Sequence, residues 1–135
     1  MASNMQIKVL QEQGRVPVTV FQVEGNIDIA SYEELKARAE EAYESGTRNL
    51  LLDLAKVKYV SSLGLRTFHD IFSLLRDTAV ENDETMKQGL RDGSYKSAHF
   101  KLLNPSRDVA TVLKVSGFDM FLEIHTDRQK ALASF

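Results

Sequence analysis

No cysteine occurs among the 135 residues, which excludes disulfides and thiolate metal sites and fits a reducing compartment. No apolar run approaches the ~20 residues that a membrane-spanning helix needs. Basic clusters are missing as well, and the formal charge of −2 argues against a nucleic-acid partner. The opening Met-Ala-Ser-Asn-Met has neither the charged nor the apolar region of a signal peptide, so a cytoplasmic protein is expected. What remains is ordinary globular composition, 43% hydrophobic and 27% charged. The length suits one domain, residues 1–135, with a real core.

Most catalytic patterns are missing too. No G-x-S-x-G elbow surrounds Ser61 or Ser62, and neither G-x-x-x-x-G-K nor G-x-G-x-x-G occurs. His69, His99 and His125 fall on different predicted elements without metal-ligand spacing, so neither a metal nor a cofactor is expected. Glu33, Glu34, Glu40, Glu41 and Glu44 read as the solvated face of a helix, helped by Glu34 and Arg38 at i,i+4.

The elements alternate between strand and helix. Met5 to Gln11 alternates apolar and polar residues and reads as a strand, with Val16 to Val23 as its hairpin partner across Gln13-Gly14-Arg15. Gly25 to Ala30 reads as a connector. Ser31 and Glu34 suggest a capping box for a helix bearing Leu35, Ala39 and Ala42, which Gly46 ends. Asn49 to Leu54 is apolar almost throughout, as a strand covered on both faces should be, and Ala55 to Lys58 reads as a link. Leu65, Phe68, Ile71, Phe72 and Leu75 then predict a helix from about 63 to 76. Later come a strand at His99 to Leu103 and a helix opened by Pro105 or Ser106 and closed by Gly117. A strand at Met120 to Ile124 and a terminal helix capped by Thr126 or Asp127 complete the series. This is an α/β pattern with a mixed, mostly parallel sheet of four to five strands, an N-terminal antiparallel hairpin and about four helices. Residues 77–98 break the rhythm. They are polar, contain Gly89 and Gly93, and read as a long insertion, disordered or loosely packed, with Met86 and Leu90 at helical spacing.

The most informative stretch joins the central strand to the helix at 63: Tyr59-Val60-Ser61-Ser62-Leu63-Gly64-Leu65. Free N–H groups and the positive end of a helix dipole favour anionic groups at such a junction. A serine there is either a helix cap, worth ~1 kcal/mol, or a chemical switch.

These residues resemble the STAS domain of the bacterial anti-sigma factor antagonist type, along nearly the whole chain and in order. Gly25-Asn26-Ile27-Asp28 is similar to the family's G-x-[LI]-D, and Ser61-Ser62-Leu63-Gly64-Leu65 to its D-S-[ST]-G-L. Asn104-Pro105, Leu113, Ser116-Gly117-Phe118 and Phe121 follow its late pattern. The resemblance implies a non-enzymatic partner switch. The unmodified antagonist binds an anti-sigma factor that is also a serine kinase, phosphorylation of a serine releases it, and a PP2C-type phosphatase resets it. Residue by residue, Ser62 takes the phosphoacceptor position, with Ser61 the lesser candidate. Asp28, Ser61, Ser62, Leu63, Gly64, Leu65 and Arg66 fall on the implied partner-binding face.

Three departures within the motif accompany the match, and the 77–98 segment is longer than the family's usual link. Ser61 stands where the family has Asp, Leu63 where it has a hydroxyl residue, and Arg66 where a small residue is usual. They point to a divergent member with its own partner. An unphosphorylated STAS scaffold or signalling module and, less well, a serine-dependent enzyme remain as alternatives. The sigma factor, the kinase, the input signal and the oligomeric state are not legible.

Overall fold

The computed structural model describes residues 5–76, 88 and 96–135. Most of the polar insertion expected at 77–98 lies outside them. The described chain runs β1 (Gln6–Gln13), β2 (Pro17–Ile27), α1 (Tyr32–Glu44), β3 (Leu50–Val60), α2 (Ser62–Leu75), β4 (Phe100–Leu103), α3 (Arg107–Val115), β5 (Ile124–His125) and α4 (Arg128–Ala133). The sheet has the order β1-β2-β3-β4-β5, antiparallel only between β1 and β2 and parallel elsewhere. The mixed, mostly parallel sheet, the N-terminal hairpin and the four helices are therefore as expected.

Both faces of the sheet are covered, unequally. One face carries the larger core, in which Phe21, Leu50, Leu52, Leu54, Phe100 and Leu102 meet Leu35 of α1, Phe68 and Ile71 of α2, and Leu113 of α3. On the other, Val18, Val20, Leu51 and Leu103 are covered by Ala131 and Leu132 of α4. This double coverage accounts for the unbroken apolar run at the start of β3.

Several expected boundaries move, for identifiable reasons. The connector expected from Gly25 and the link expected at Ala55 to Lys58 are both strand. The pairing runs Gln22–Asp53, Glu24–Lys56, Gly25–Val57, Asn26–Tyr59 and Ile27–Val60, so β3 gains one extra residue at each of two bulges. Each bulge slips the period-2 alternation, and Val57 and Val60, three apart, both turn into the larger core. The strand expected at Met120 to Ile124 shrinks to Ile124–His125. Phe118 to Met120 instead form a 3-10 turn, and Phe118 and Phe121 pack inward against Phe68 and Phe72 with ring centroids 6.4 and 5.1 Å apart.

The capping box expected at Ser31 does not form around that serine. Its side chain is buried, donates to Asn26 O at 2.7 Å and accepts from Asp28 N at 3.0 Å. These bonds satisfy loop groups that burial would otherwise leave unpaired, and no side-chain bond from Ser31 caps α1. Gly46 does end α1: with φ +112° it lets Gly46 N and Thr47 N donate back to Tyr43 O and Ala42 O. Ser106 and Asp127 cap α3 and α4.

Candidate functional site

The bulged β3 delivers the chain to one end of the sheet, where Ser61 N donates to Ile27 O at 2.9 Å. That bond ties the start of α2 to the end of β2. Asp28 follows directly and folds its loop on itself: its Oδ1 accepts from Ala30 N at 3.0 Å, and its carbonyl accepts from Tyr32 N at 2.9 Å. Asp28 thus has a local structural task at the same end of the sheet as the two serines.

The serines divide the junction between them. Ser61 has the extended backbone of an N-cap (φ −80°, ψ 174°), and its Oγ accepts from Gly64 N at 3.2 Å. Of the two serines at the junction, the helix cap is therefore Ser61. Ser62 is the first residue of α2, is exposed, and has no hydrogen-bond partner for its hydroxyl among the described residues. One hydroxyl is used by the fold and the other is free. Ser61→Ala is accordingly expected to lower stability by about 1 kcal/mol and Ser62→Ala by less than about 0.5 kcal/mol, as read from urea midpoints. Equal losses would contradict this division.

The next residues alternate between core and surface as the helix turns. Gly64 is buried against Ile27 and Val60, Leu65 packs on the larger core, and Leu63 is half-buried. Buried Thr67 donates its hydroxyl to Leu63 O at 3.0 Å. Arg66 and His69 are exposed and share a stripe with Ser62 at i, i+4 and i+7. Of the seven expected partner-binding residues, six thus run along the start of α2 and Asp28 joins them through Ile27. Gly64 faces inward and acts by letting the elements approach.

A groove of about 450 Å³ runs between α1 and α2, lined among others by Tyr32, Glu33, Lys36, Leu63, Arg66 and Asp70. Tyr32 donates its hydroxyl to Glu33 at 3.1 Å. That bond and the carboxylate's charge hold the phenol above its usual pKa, while Arg66 and Lys36 pull it the other way. Lys36 lies 3.7 Å from Asp70, an exposed pair of little energetic weight. Arg66 has no ion-pair or hydrogen-bond partner among the described residues.

Two apolar side chains at this end were not singled out from the sequence as binding residues. Ile29, just past Asp28, is 77% exposed, and Tyr59, three residues before Ser62, is 55% exposed. The bulge turns Tyr59 outward, and bulges leave no period to read. The histidines stay apart: His99 Nδ1 lies 2.9 Å from Asn49 Oδ1, His125 Nε2 lies 3.0 Å from Glu123 Oε1, and His69 sits on α2. Among the described residues no group of three or more His, Asp or Glu could hold a metal ion, and no helix is long and apolar enough to cross a membrane.

Comparison with known proteins bears on this geometry. The family model of the STAS domain matches residues 8–82, more than half of the chain. An anti-sigma factor antagonist from Mycobacterium paratuberculosis has a similar structure, with a TM-score of 0.74 at 16% identity over 99% of this chain and 97% of that one. The phosphorylated form of the Bacillus cell fate determinant SpoIIAA superposes with a TM-score of 0.60 at 16% identity, over 93% of this chain and 96% of that one. An anti-sigma-factor antagonist (STAS) domain protein from Planctomyces limnophilus gives 0.60 at 19%, over 93% and 94%. At these identities the likeness is one of fold. No curated protein matches the sequence.

Proposed function

The chain belongs to the STAS-domain family, and from that premise we propose that it is an anti-sigma factor antagonist whose partner binding is controlled by phosphorylation of Ser62. STAS domains are non-catalytic scaffolds, so the function is one of binding. The partner is an anti-sigma factor with serine kinase activity, and a PP2C-type phosphatase restores the unmodified form. Similar solved structures are themselves described as anti-sigma factor antagonists, and one of these, SpoIIAA, has structures in both unphosphorylated and phosphorylated forms.

The observation that carries the reading is the split between the serines. A phosphoacceptor must present its oxygen to a kinase without dismantling the fold. Ser61 Oγ is held by Gly64 N, whereas Ser62 Oγ is exposed and uncommitted among the described residues. Transfer of the γ-phosphoryl group of ATP to Ser62 Oγ forms the phosphoester, releases ADP and frees the hydroxyl proton. The product carries about −1.5 to −2 charges on a surface that was neutral at that point. A docking face shaped for a hydroxyl then meets charge that it must desolvate, so the partner leaves while the domain stays folded. Exposed Ile29 and Tyr59 on the same end supply apolar contact for the unmodified state.

The test uses the candidate kinase-type anti-sigma factor of the source organism, purified and titrated against three forms of this protein. Wild type and Ser62→Ala are expected to bind alike, and Ser62→Asp at least about tenfold more weakly, since ~1.4 kcal/mol corresponds to that factor. Incubation with the kinase and ATP should add one phosphoryl group to wild type and none to Ser62→Ala. Equal binding by all three forms, with no phosphate added, would leave a STAS scaffold that is not phosphoregulated.

A further inference from the structure

We infer that Arg66 is a built-in counter-ion for a phosphate on Ser62, so that modification both adds charge and withdraws the Arg66 guanidinium from the docking face. This inference rests on the reading of Ser62 as the phosphoacceptor and adds how the modified state is held.

Three observations carry it. Ser62 and Arg66 are four residues apart within α2, a spacing that puts side chains on one face about 5–6 Å apart at Cβ. Both are exposed, while Gly64, Thr67 and Phe68 between and beside them turn inward. The guanidinium has no ion-pair or hydrogen-bond partner among the described residues; Glu33, which lines the same groove, is not paired with it and accepts from Tyr32 at 3.1 Å. A phosphate oxygen is the strongest acceptor that could arise within reach, and guanidinium meets phosphate with a two-pronged hydrogen-bonding geometry.

Other charges at this end do not offer the same match. Asp28 and Tyr32 are engaged in their own loop and helix, and Lys36 is turned to Asp70 at 3.7 Å. Glu33 and Asp70 would oppose a phosphate, and His69 lies a further turn along the exposed stripe. In the unmodified protein the free guanidinium suits a carboxylate on the partner. After phosphorylation the same group is occupied in cis. The departure from a small residue at this position thereby becomes part of the switch.

The experiment places phosphoserine at position 62 of the full chain during translation, so it needs neither the kinase nor the partner. The second ionisation of the phosphate is followed by phosphorus NMR across pH. A neighbouring cation favours the dianion, so its pKa in the otherwise wild-type protein should lie on the order of half a unit below that in Arg66→Gln. Arg66→Lys should recover part of the shift, and added salt should shrink it. The helix terminus acts on the phosphate equally in all these proteins, so the difference isolates the guanidinium. Identical titrations in wild type and Arg66→Gln would overturn the inference, as would a shift that follows Lys36→Gln instead. Failure of every kinase to modify Ser62 would instead sink the reading on which it rests.

Discussion

Gly64→Ala is expected to destabilise the protein by about 2–3 kcal/mol, although the same exchange inside an exposed helix normally stabilises by up to about 1 kcal/mol. The sign reverses because Gly64 is where α2 touches the end of the sheet. A Cβ there would lie 2.7 Å from Ile27 O, 2.8 Å from Val60 Cγ1 and 2.9 Å from Ile27 Cγ2. The first of these is backbone and cannot rotate away. That carbonyl also accepts the Ser61 N–H at 2.9 Å, so relieving the clash by sliding α2 outward strains the bond that seats the junction. Urea unfolding should show a lower midpoint with an unchanged slope, the signature of lost stability without a changed denatured state. A midpoint equal to or above wild type would refute the close approach. The functional consequence follows from position: a displaced α2 carries Ser62 and Arg66 with it, so partner binding should weaken even though Gly64 is buried.

How much of this was legible beforehand depended on whether local pattern and tertiary contact agreed. Phe68, Ile71, Phe72 and Leu75 keep a clean helical period, and α2 was placed to within a residue at each end. The ordered motifs around Gly25-Asn26-Ile27-Asp28 and Ser61-Ser62 pointed to the family that the later match supports. Local rules failed where a long-range partner overrode them. Ser31 has the sequence of a cap, yet loop groups at Asn26 and Asp28 claim its hydroxyl. Ala55 to Lys58 looked like a link because two bulges break the alternation, and a bulge is set by the neighbouring strand rather than by composition. At the junction itself the residues were legible and their roles were not. Two adjacent serines look alike in sequence, and only the φ, ψ and hydrogen bond of Ser61 separate the structural hydroxyl from the free one.

Lys101 was invisible to sequence reading, and its replacement carries the other large expected effect. It is 2% exposed in the middle of β4, on the sheet face that α4 covers. Its ammonium donates to Ser134 O at 2.8 Å and Ser134 Oγ at 3.0 Å, lies 3.0 Å from Glu123 Oε2, and sits 4.9 Å from the centre of the Phe135 ring. Three donors thus have three acceptors, which is the condition under which a buried ammonium is tolerated. Because two of the acceptors belong to the C-terminus, Lys101 pins the end of α4 over Val18, Val20, Leu51 and Leu103. Lys101→Ala should cost about 3 kcal/mol, at the low end for a broken buried pair, because Glu123 keeps 34% side-chain exposure and water can reach it. Lys101→Met restores volume but no donor, so it should recover only part of the loss.

Acid separates the charge from the packing. Burial pushes the Glu123 carboxyl up, but the hydrogen bond and charge of Lys101, with those of His125, outweigh it and hold the pKa below its ordinary 4.5. A carboxyl depressed in the folded state stabilises above its unfolded pKa and loses that contribution as pH falls through the folded value. The stability gap between wild type and Lys101→Met should therefore be full at neutral pH and shrink as pH falls below 4.5, since His125 acts on Glu123 in both proteins and only wild type has the Lys101 part of that contribution to lose. Urea midpoints of both proteins at neutral pH and near pH ~3 would measure it. A gap of the same size at both would assign the whole effect to packing and to the Ser134 bonds, with none left for the ion pair.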